Sequence, residues 1–254
     1  MKPRSSASYS SLLLLPLVFT SAQAAVLGFW NFEANPGVGP NYAPVGTPPT
    51  GVTVSPLTAG SGFADGNYGT NQGIAGVGGS RAYVFLASNV GTTAGGALTG
   101  AGAGTGPDTF TFTVTAGSGY ALQFSQLSLY AWGNANFKAG TYSFFVQSSL
   151  TGSTILDSRT ITAAEGVTAI GNTTNPTAGN NQYTLDLSAV PELANVTSDV
   201  TFTIGVYRSS DAAGNMRFDN FQIEGNIVPE PGGVLLGGLG IGATLMRRKR
   251  FPKA

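Results

Sequence analysis

The sequence predicts an all-β domain, a β-sandwich of jelly-roll type, and three observations support this prediction. Only 9% of the 254 residues are charged, against about 25% in ordinary soluble domains. Several segments rich in threonine, valine and phenylalanine alternate polar and apolar residues, which is the period of a half-buried strand. Glycine-rich stretches separate these segments, and between the two ends of the chain no long amphipathic helix is visible.

Eight segments carry the strand pattern, and the cleanest alternation lies at 200–206. The other seven are 81–87, 109–115, 122–132, 141–147, 154–161, 182–188 and 216–224. The segment 188–197 predicts one helical turn, and the low-complexity segment 91–106 predicts a mobile loop. No internal repeat is visible, which disfavours a solenoid or a propeller.

The last predicted strand breaks its own alternation. Met216 and Phe218 share one parity, whereas Phe221 and Ile223 share the other. A β-bulge adds one residue to a strand and reverses the face of every side chain that comes after it. A bulge near Asp219 would therefore direct all four apolar side chains toward the core.

The N-terminus has the features of a secretory signal peptide. A positively charged start and a short apolar stretch precede a small-x-small pattern, Ala22 to Ala24, which predicts a signal peptide over residues 1–24. The apolar stretch is too short for a permanent membrane span, and a buried core helix is the alternative. We expect export by the Sec machinery, cleavage by signal peptidase before Ala25, and a sandwich domain over 25–227.

Residues 228–254 also have three parts. Pro229, Glu230 and Pro231 come first, and an uncharged, mostly apolar run comes next over 232–246. The basic cluster that ends the run consists of Arg247, Arg248, Lys249 and Arg250. Fifteen residues of helix rise about 22 Å, less than the ~30 Å hydrocarbon core, so this transmembrane helix is a marginal span. The positive-inside rule would keep the basic cluster in the cytoplasm and the domain outside.

This order of Pro-Glu-Pro, glycine-rich apolar helix and basic cluster resembles the PEP-CTERM sorting signal of exported proteins in Gram-negative bacteria. The resemblance covers 228–250, about a tenth of the chain. It implies an exosortase-type membrane protease as a partner, delivery to the cell surface or extracellular matrix, and a link to exopolysaccharide and biofilm. A simple C-terminal membrane anchor is the alternative. Both interpretations imply export through the inner membrane.

Composition excludes several classes of function. The chain has no cysteine and no histidine, which excludes disulfides, thiol nucleophiles and Ser-His-Asp catalysis. The segment 25–228 holds five basic and eleven acidic residues, a net charge of −6. We expect no nucleic-acid partner, because phosphate neutralisation needs clustered lysine and arginine. We also expect no enzyme. A glycan hydrolase that uses two carboxylates is the remaining catalytic alternative.

Two acidic residues form a candidate cation site. Glu33 comes after Phe32 near the predicted mature N-terminus, and Asp219 comes after Phe218 near the end of the domain. This pairing resembles calcium-stabilised jelly rolls of the galactose-binding-like superfamily, which includes many carbohydrate-binding modules. The resemblance implies that the first and last strands are neighbours and that Glu33 and Asp219 bind a structural calcium. A carboxylate held by backbone N–H groups is the alternative.

Two further groups of residues are weaker candidates. Asp65 and Asn67 with Asn71, and Asp211 with Asn215, are oxygen-rich clusters that are more typical of turns than of cation sites. Trp132 precedes a polar loop segment, so it is the candidate platform for stacking on a sugar ring. The sequence therefore predicts a non-enzymatic surface or matrix protein with a structural or adhesive role. A carbohydrate-binding module is the alternative.

Overall fold

The computed structural model describes residues 24–33, 41–63, 67–70, 81–86, 90–100, 106–133, 140–162, 182–209 and 214–230. Most of the predicted signal peptide and the predicted tail from residue 231 onward therefore lie outside the described residues. Within the described ranges, no helix has both the length and the apolar character needed to cross a membrane.

The described chain folds almost entirely into β-strands. In chain order they are β1 (Ala25–Trp30), β2 (Asn41–Tyr42), β3 (Val52–Val54), β4 (Leu57–Ala59), β5 (Asn67–Thr70), β6 (Arg81–Leu86), β7 (Thr109–Ala116), β8 (Tyr120–Gly133), β9 (Thr141–Ser148), β10 (Asp157–Thr162), β11 (Gln182–Asp186), β12 (Val200–Arg208) and β13 (Asn215–Pro229). One short helix, α1 (Ala94–Thr99), precedes β7, and a 3-10 turn (Pro191–Leu193) precedes β12.

The strands form two antiparallel sheets that pack face to face, which confirms the predicted all-β sandwich. Sheet A has the order β11-β8-β13-β6-β5, and β1 also pairs with β13. Sheet B has the order β10-β9-β12-β7-β4-β2, and β3 also pairs with β7. From β7 to β13, the chain passes from one sheet to the other at every connection except the β9–β10 hairpin.

Aromatic rings fill the space between the sheets. The Trp30 ring lies 4.6 Å from that of Phe112, and Phe110 lies 5.1 Å from Phe221, each pair joining the two sheets. Such pairs add about 0.5–1.5 kcal/mol each beyond the free energy of burying their area. The alternation of strands such as β7 therefore encodes the core, with phenylalanine inside and threonine outside.

The β-bulge predicted in the last strand is confirmed. The register between β13 and β8 shifts between Asp219 and Gln222, and Asn220 adopts a left-handed φ of 48°. The four apolar side chains on either side of the shift are fully buried, namely Met216, Phe218, Phe221 and Ile223. The break in alternation therefore predicted the bulge correctly from the sequence.

The prediction of a mobile loop over 91–106 is wrong where α1 forms. The Thr93 hydroxyl accepts a hydrogen bond from the N–H of Gly96 at 3.0 Å, which caps the helix N-terminus. Gly100 ends the helix with a φ of 79°, a conformation that glycine adopts readily. Ala97 is fully buried. The capping pattern was present in the sequence but was hidden by the low complexity around it.

The strand β13 continues past the predicted domain boundary at residue 227. Pro229 pairs with Tyr120, and the Glu230 N–H donates a hydrogen bond to the Gly119 carbonyl oxygen at 2.9 Å. The first residue of the predicted sorting motif, Pro229, is therefore part of sheet A, and Glu230 is hydrogen-bonded just beyond it. The strand thus runs two residues past the boundary drawn from the sequence.

The two predicted processing points lie at the same end of the sandwich. β1 begins at Ala25, the residue just after the predicted cleavage site, and Ala25 pairs with Gly225 of β13. Because the two strands are antiparallel, the start of β1 lies beside the last part of β13. We call this the terminal end of the sandwich. The start of β7 and the helix α1 lie at the opposite end.

Candidate functional site

The structure brings the two predicted calcium ligands into one region of sheet A. β1 pairs with β13, with Trp30 opposite Phe221, so the chain just after β1 runs alongside the bulge of β13. Glu33 lies in that segment, and Asp219 lies at the bulge. Their interaction is close enough for the charge of Glu33 to help raise the pKa of Asp219. The neighbouring first and last strands expected from the resemblance are present.

Asp219 is a buried carboxylate with a strongly shifted proton affinity. Its side chain is 2% exposed, and burial raises its pKa to about 8. The N–H of Asn220 donates to Asp219 Oδ1 at 2.7 Å and opposes that rise, whereas the charge of Glu33 adds to it. A buried carboxylate near a second negative charge favours either a retained proton on Asp219 or a bound cation.

Oxygen ligands of this type suit calcium, which takes about six to eight of them. Among the described residues, no group of three or more acidic, histidine or cysteine side chains is placed to hold a metal ion. Glu33 and Asp219 would therefore supply two carboxylates, and backbone or amide oxygens would have to supply the rest. The same burial makes this pair unsuited to catalysis, because a substrate would have to reach Asp219.

The weaker cation candidates fall mostly outside the described residues. Asp65, Asn71 and Asp211 are all outside them, and Asn215 is described only as part of the β13 backbone. These clusters stay predictions.

Trp132 is not an accessible platform, so the sequence-based prediction for this residue is wrong. Its side chain is fully buried. It points away from the core, on the outer face of sheet A, where it lies across from Arg217 of β13, which is 6% exposed. Burial also lowers the pKa of the Arg217 guanidinium. A ring without exposed surface cannot stack on a sugar. The prediction failed because the position of Trp132 near the end of a strand suggested an exposure that the side chain does not have.

The outer face of sheet B carries a feature that the sequence reasoning missed. We call it the hydroxyl face, and its members are Thr58, Thr111, Thr113, Ser143, Gln147, Thr160, Thr201, Thr203 and Tyr207, of which Ser143 and Gln147 are buried on either side of the fully buried Phe145 of β9. Strand register aligns Thr58, Thr111 and Thr203 in one row across β4, β7 and β12. The threonines of the TFTFTVT segment occupy every second position, so this alternation could have predicted a row of hydroxyl groups on the outer face.

Hydrogen bonds between strands fix several of these side chains. The Thr113 and Thr201 hydroxyls lie 2.8 Å apart, and the Ser143 and Thr160 hydroxyls are also 2.8 Å apart. No described side chain on the hydroxyl face is charged, whereas about 25–35% of an ordinary protein surface is charged. Tyr207 adds a half-buried ring at one edge of the face.

Comparisons with known proteins show a distant likeness in structure only. No protein-family model matches the sequence, and no curated protein matches it either. Among solved structures, the chain is similar to the CBM22-1 xylan-binding domain from Paenibacillus barcinonensis Xyn10C, with 13% identity and a TM-score of 0.35. That similarity covers 83% of this chain and 99% of the other.

Two other solved structures have comparable scores. The K1 cleaved adhesin domain of Lys-gingipain from Porphyromonas gingivalis W83 is 19% identical over 80% of this chain and 99% of its own, with a TM-score of 0.35. Xylanase10C from Cellvibrio japonicus, solved in complex with xylopentaose, is 11% identical with a TM-score of 0.34. The chain covers 82% of its own length but 28% of that enzyme. Likeness at this level assigns no function, so the function has to be argued from the residues of this chain.

Proposed function

We propose that this chain is an exported bacterial surface or matrix protein whose sandwich, of jelly-roll type, has a non-enzymatic structural or adhesive role in contact with polysaccharide. The observation that carries the proposal is that the first strand begins where the predicted signal peptide ends. The predicted first mature residue, Ala25, is the first residue of β1, and the predicted sorting motif begins inside the last strand. Removal of residues 1–24 would leave the described strand pairs intact, and so would removal of the tail after Glu230.

Export is tested by measuring the intact mass of the protein recovered from the cell envelope of a Gram-negative host that has an exosortase. We expect an N-terminus at Ala25 and loss of the tail that contains the basic cluster. A variant in which Arg247, Arg248, Lys249 and Arg250 are all replaced by serine should keep its tail. Recovery of the unprocessed protein from the cytoplasm would contradict the proposal.

The hydroxyl face supports contact with a neutral polysaccharide. A sugar polymer presents hydroxyl donors and acceptors and no charge, and this face offers the same chemistry in register across several strands. Rotamers held by side-chain hydrogen bonds reduce the entropy lost on binding. The half-buried ring of Tyr207 offers one apolar surface of the kind on which a sugar ring can stack.

Polysaccharide contact is tested by electrophoresis of the protein through gels that contain hydroxyethylcellulose or, separately, anionic alginate. We expect hydroxyethylcellulose to slow the protein and alginate to leave its mobility unchanged. Thr203→Lys, in the middle of the hydroxyl face, should weaken the effect about tenfold, which corresponds to about 1.4 kcal/mol. The matched control Thr184→Lys places the same charge at an exposed site on the outer face of sheet A. Equal effects of the two variants would count against this face.

A second candidate function, a calcium-stabilised carbohydrate-binding module, is favoured by the proximity of Glu33 and Asp219. A cation that binds only the native state raises the melting temperature. We expect calcium to raise it in the wild type and to have no effect in a Glu33→Gln, Asp219→Asn double variant. A melting temperature that does not change between calcium and chelator would rule this candidate out.

A further inference from the structure

A buried carboxylate connects several segments at the end of the sandwich opposite the terminal end. Asp108 is fully buried just before β7. Its N–H donates to the Ala97 carbonyl oxygen of α1 at 2.7 Å, and its own carbonyl oxygen accepts from the N–H of Val206 in β12 at 2.9 Å. Its Oδ2 atom accepts from the N–H of Gly91 at 2.8 Å. Through these hydrogen bonds, Asp108 connects the start of β7 to three other segments, namely α1, the chain before α1, and β12.

The turn at 60–63 closes over the same carboxylate. The Gly62 N–H donates to the Pro107 carbonyl oxygen at 3.0 Å. A Cβ atom at Gly62 would lie 2.1 Å from Asp108 Oδ1 and 2.4 Å from the Gly106 carbonyl oxygen, so only glycine fits there. Together, Gly62, Gly91, Ala97, Asp108 and Val206 form what we call the Asp108 junction.

The Oδ1 atom of Asp108 faces Gly62 in the turn at 60–63. Among the described residues it has no hydrogen-bond partner, and the Gly106 carbonyl oxygen borders the same glycine. Leaving a charged oxygen buried without a partner is strongly unfavourable, because the water that solvated it is not replaced. A proton on Oδ1 would remove that charge and supply the missing donor.

No cation faces this carboxylate from the described segments packed against it. The turn at 60–63, Gly91 and α1 carry no ionisable side chain. In β12, Tyr207 lies on the hydroxyl face, and Arg208 donates to the Ser209 carbonyl oxygen at 3.0 Å. Burial raises the pKa of Tyr142, and the charge of Arg208 opposes that rise. The electrostatic effect of Arg208 therefore falls on Tyr142 of β9.

We propose that Asp108 is a proton-operated latch, which holds the Asp108 junction closed when protonated and releases the turn at 60–63 and α1 when ionised. Burial raises the pKa of Asp108 to about 6, against the opposing hydrogen bond from Gly91. In the opened junction the carboxyl returns toward its ordinary pKa of 3.8. The closed form therefore binds the proton more tightly, and opening becomes easier as the pH rises from about 4 to about 6.

Hydrogen exchange of individual amides in the full-length protein tests this latch. The amides of Gly62, Gly91 and Val206 report on the junction, and the Leu122 amide, which donates to Val196 near the terminal end, is the internal reference. We expect protection factors in the junction to fall on the order of 100-fold relative to Leu122 between about pH 4 and about pH 7. Equal relative protection at the two pH values would overturn the proposal.

Three variants assign the effect to Asp108. Asp108→Asn is neutral and carries its own donor, so relative protection should be high and independent of pH. Asp219→Asn removes the other buried carboxylate and should leave the pH effect intact. Gly62→Ala places a methyl group against Oδ1 and should hold the junction open at both pH values. If Asp108→Asn keeps the wild-type pH response, or if Asp219→Asn abolishes it, the proposal is wrong.

Discussion

Asp219 shows how one buried side chain can set the response of the whole domain to pH. Its proton is held more tightly in the folded state than in the unfolded chain, since burial raises its pKa to about 8 from an ordinary 3.8. The unfolded state therefore loses its proton first as the pH rises. The stability that Asp219 contributes is therefore greatest in acid and falls as the pH approaches the folded pKa.

This fall of stability with rising pH gives the first prediction. Above about pH 6, Asp108 is ionised in both states, so the remaining loss of stability up to about pH 8 belongs mainly to Asp219. We expect the free energy of unfolding, measured in urea with chelator present, to fall by on the order of 2 kcal/mol over that window. Asp219→Asn should remove the fall.

The matched control for this prediction is Asp186→Asn. Asp186 is exposed, and hydrogen bonds from Ser188 lower its pKa, which places its titration outside the window. Its removal should leave the slope unchanged. If the free energy of unfolding still falls with pH in Asp219→Asn, the titration belongs to another group.

Whether a site residue was predictable depended on what its side chain touches. Glu33 and Asp219 were predictable as a pair because a short motif placed one just after the first strand and the other in the last, and these strands are neighbours. Trp132 was misjudged because nothing in the local pattern reveals what covers the outer face of a sheet. Asp108 was missed because its partners, Gly62 and Gly91 among them, come from segments distant in sequence and carry no pattern of their own.

Elements with a strong period were predictable, and very short ones were not. Strands such as β7 and β12 pair in the register that their alternation requires, with Phe112 opposite Phe202 and Thr111 opposite Thr203. β2, β3 and β4 have two or three residues each, too few to display a period of two. Their pairing is imposed by β7 and by one another, which is tertiary information.

At the scale of a strand pair, the position of Gly205 in β12 requires glycine because of a residue on the neighbouring strand β9. The Phe145 ring of β9 lies over it, and a Cβ atom at Gly205 would come within 2.1 Å of that ring. We predict that Gly205→Ala lowers the free energy of unfolding by about 1–3 kcal/mol, as overpacking does elsewhere. Denaturant unfolding of the purified protein measures this change.

Gly95→Ala is the comparison for that variant. Gly95 lies in α1, and a Cβ atom added there would have no neighbouring atom within 4 Å. Alanine also favours helices over glycine by about 1 kcal/mol. The same substitution should therefore stabilise at Gly95 and destabilise at Gly205. Similar effects at both sites would refute the steric argument.

For the molecule as a whole, the described strand pairing continues past residue 227, to Pro229 of β13. A chain over 25–227 loses the pairing of Val228 with Ala121 and of Pro229 with Tyr120, together with the Glu230 hydrogen bond to Gly119. We predict that it is less stable than a chain over 25–230 by about 1–3 kcal/mol, at about 1 kcal/mol for each net hydrogen bond. Thermal unfolding of the two chains decides between the boundaries.

The placement of β13 has a mechanical consequence. The predicted tail leaves from the C-terminal end of this strand, which has partners on both edges, β8 on one side and β1 with β6 on the other. A pull on the tail acts along the strand, so many ladder hydrogen bonds are loaded together in shear instead of being unzipped one after another. A domain attached to a moving matrix through the C-terminal end of β13 would thus be held by its most extensively paired strand.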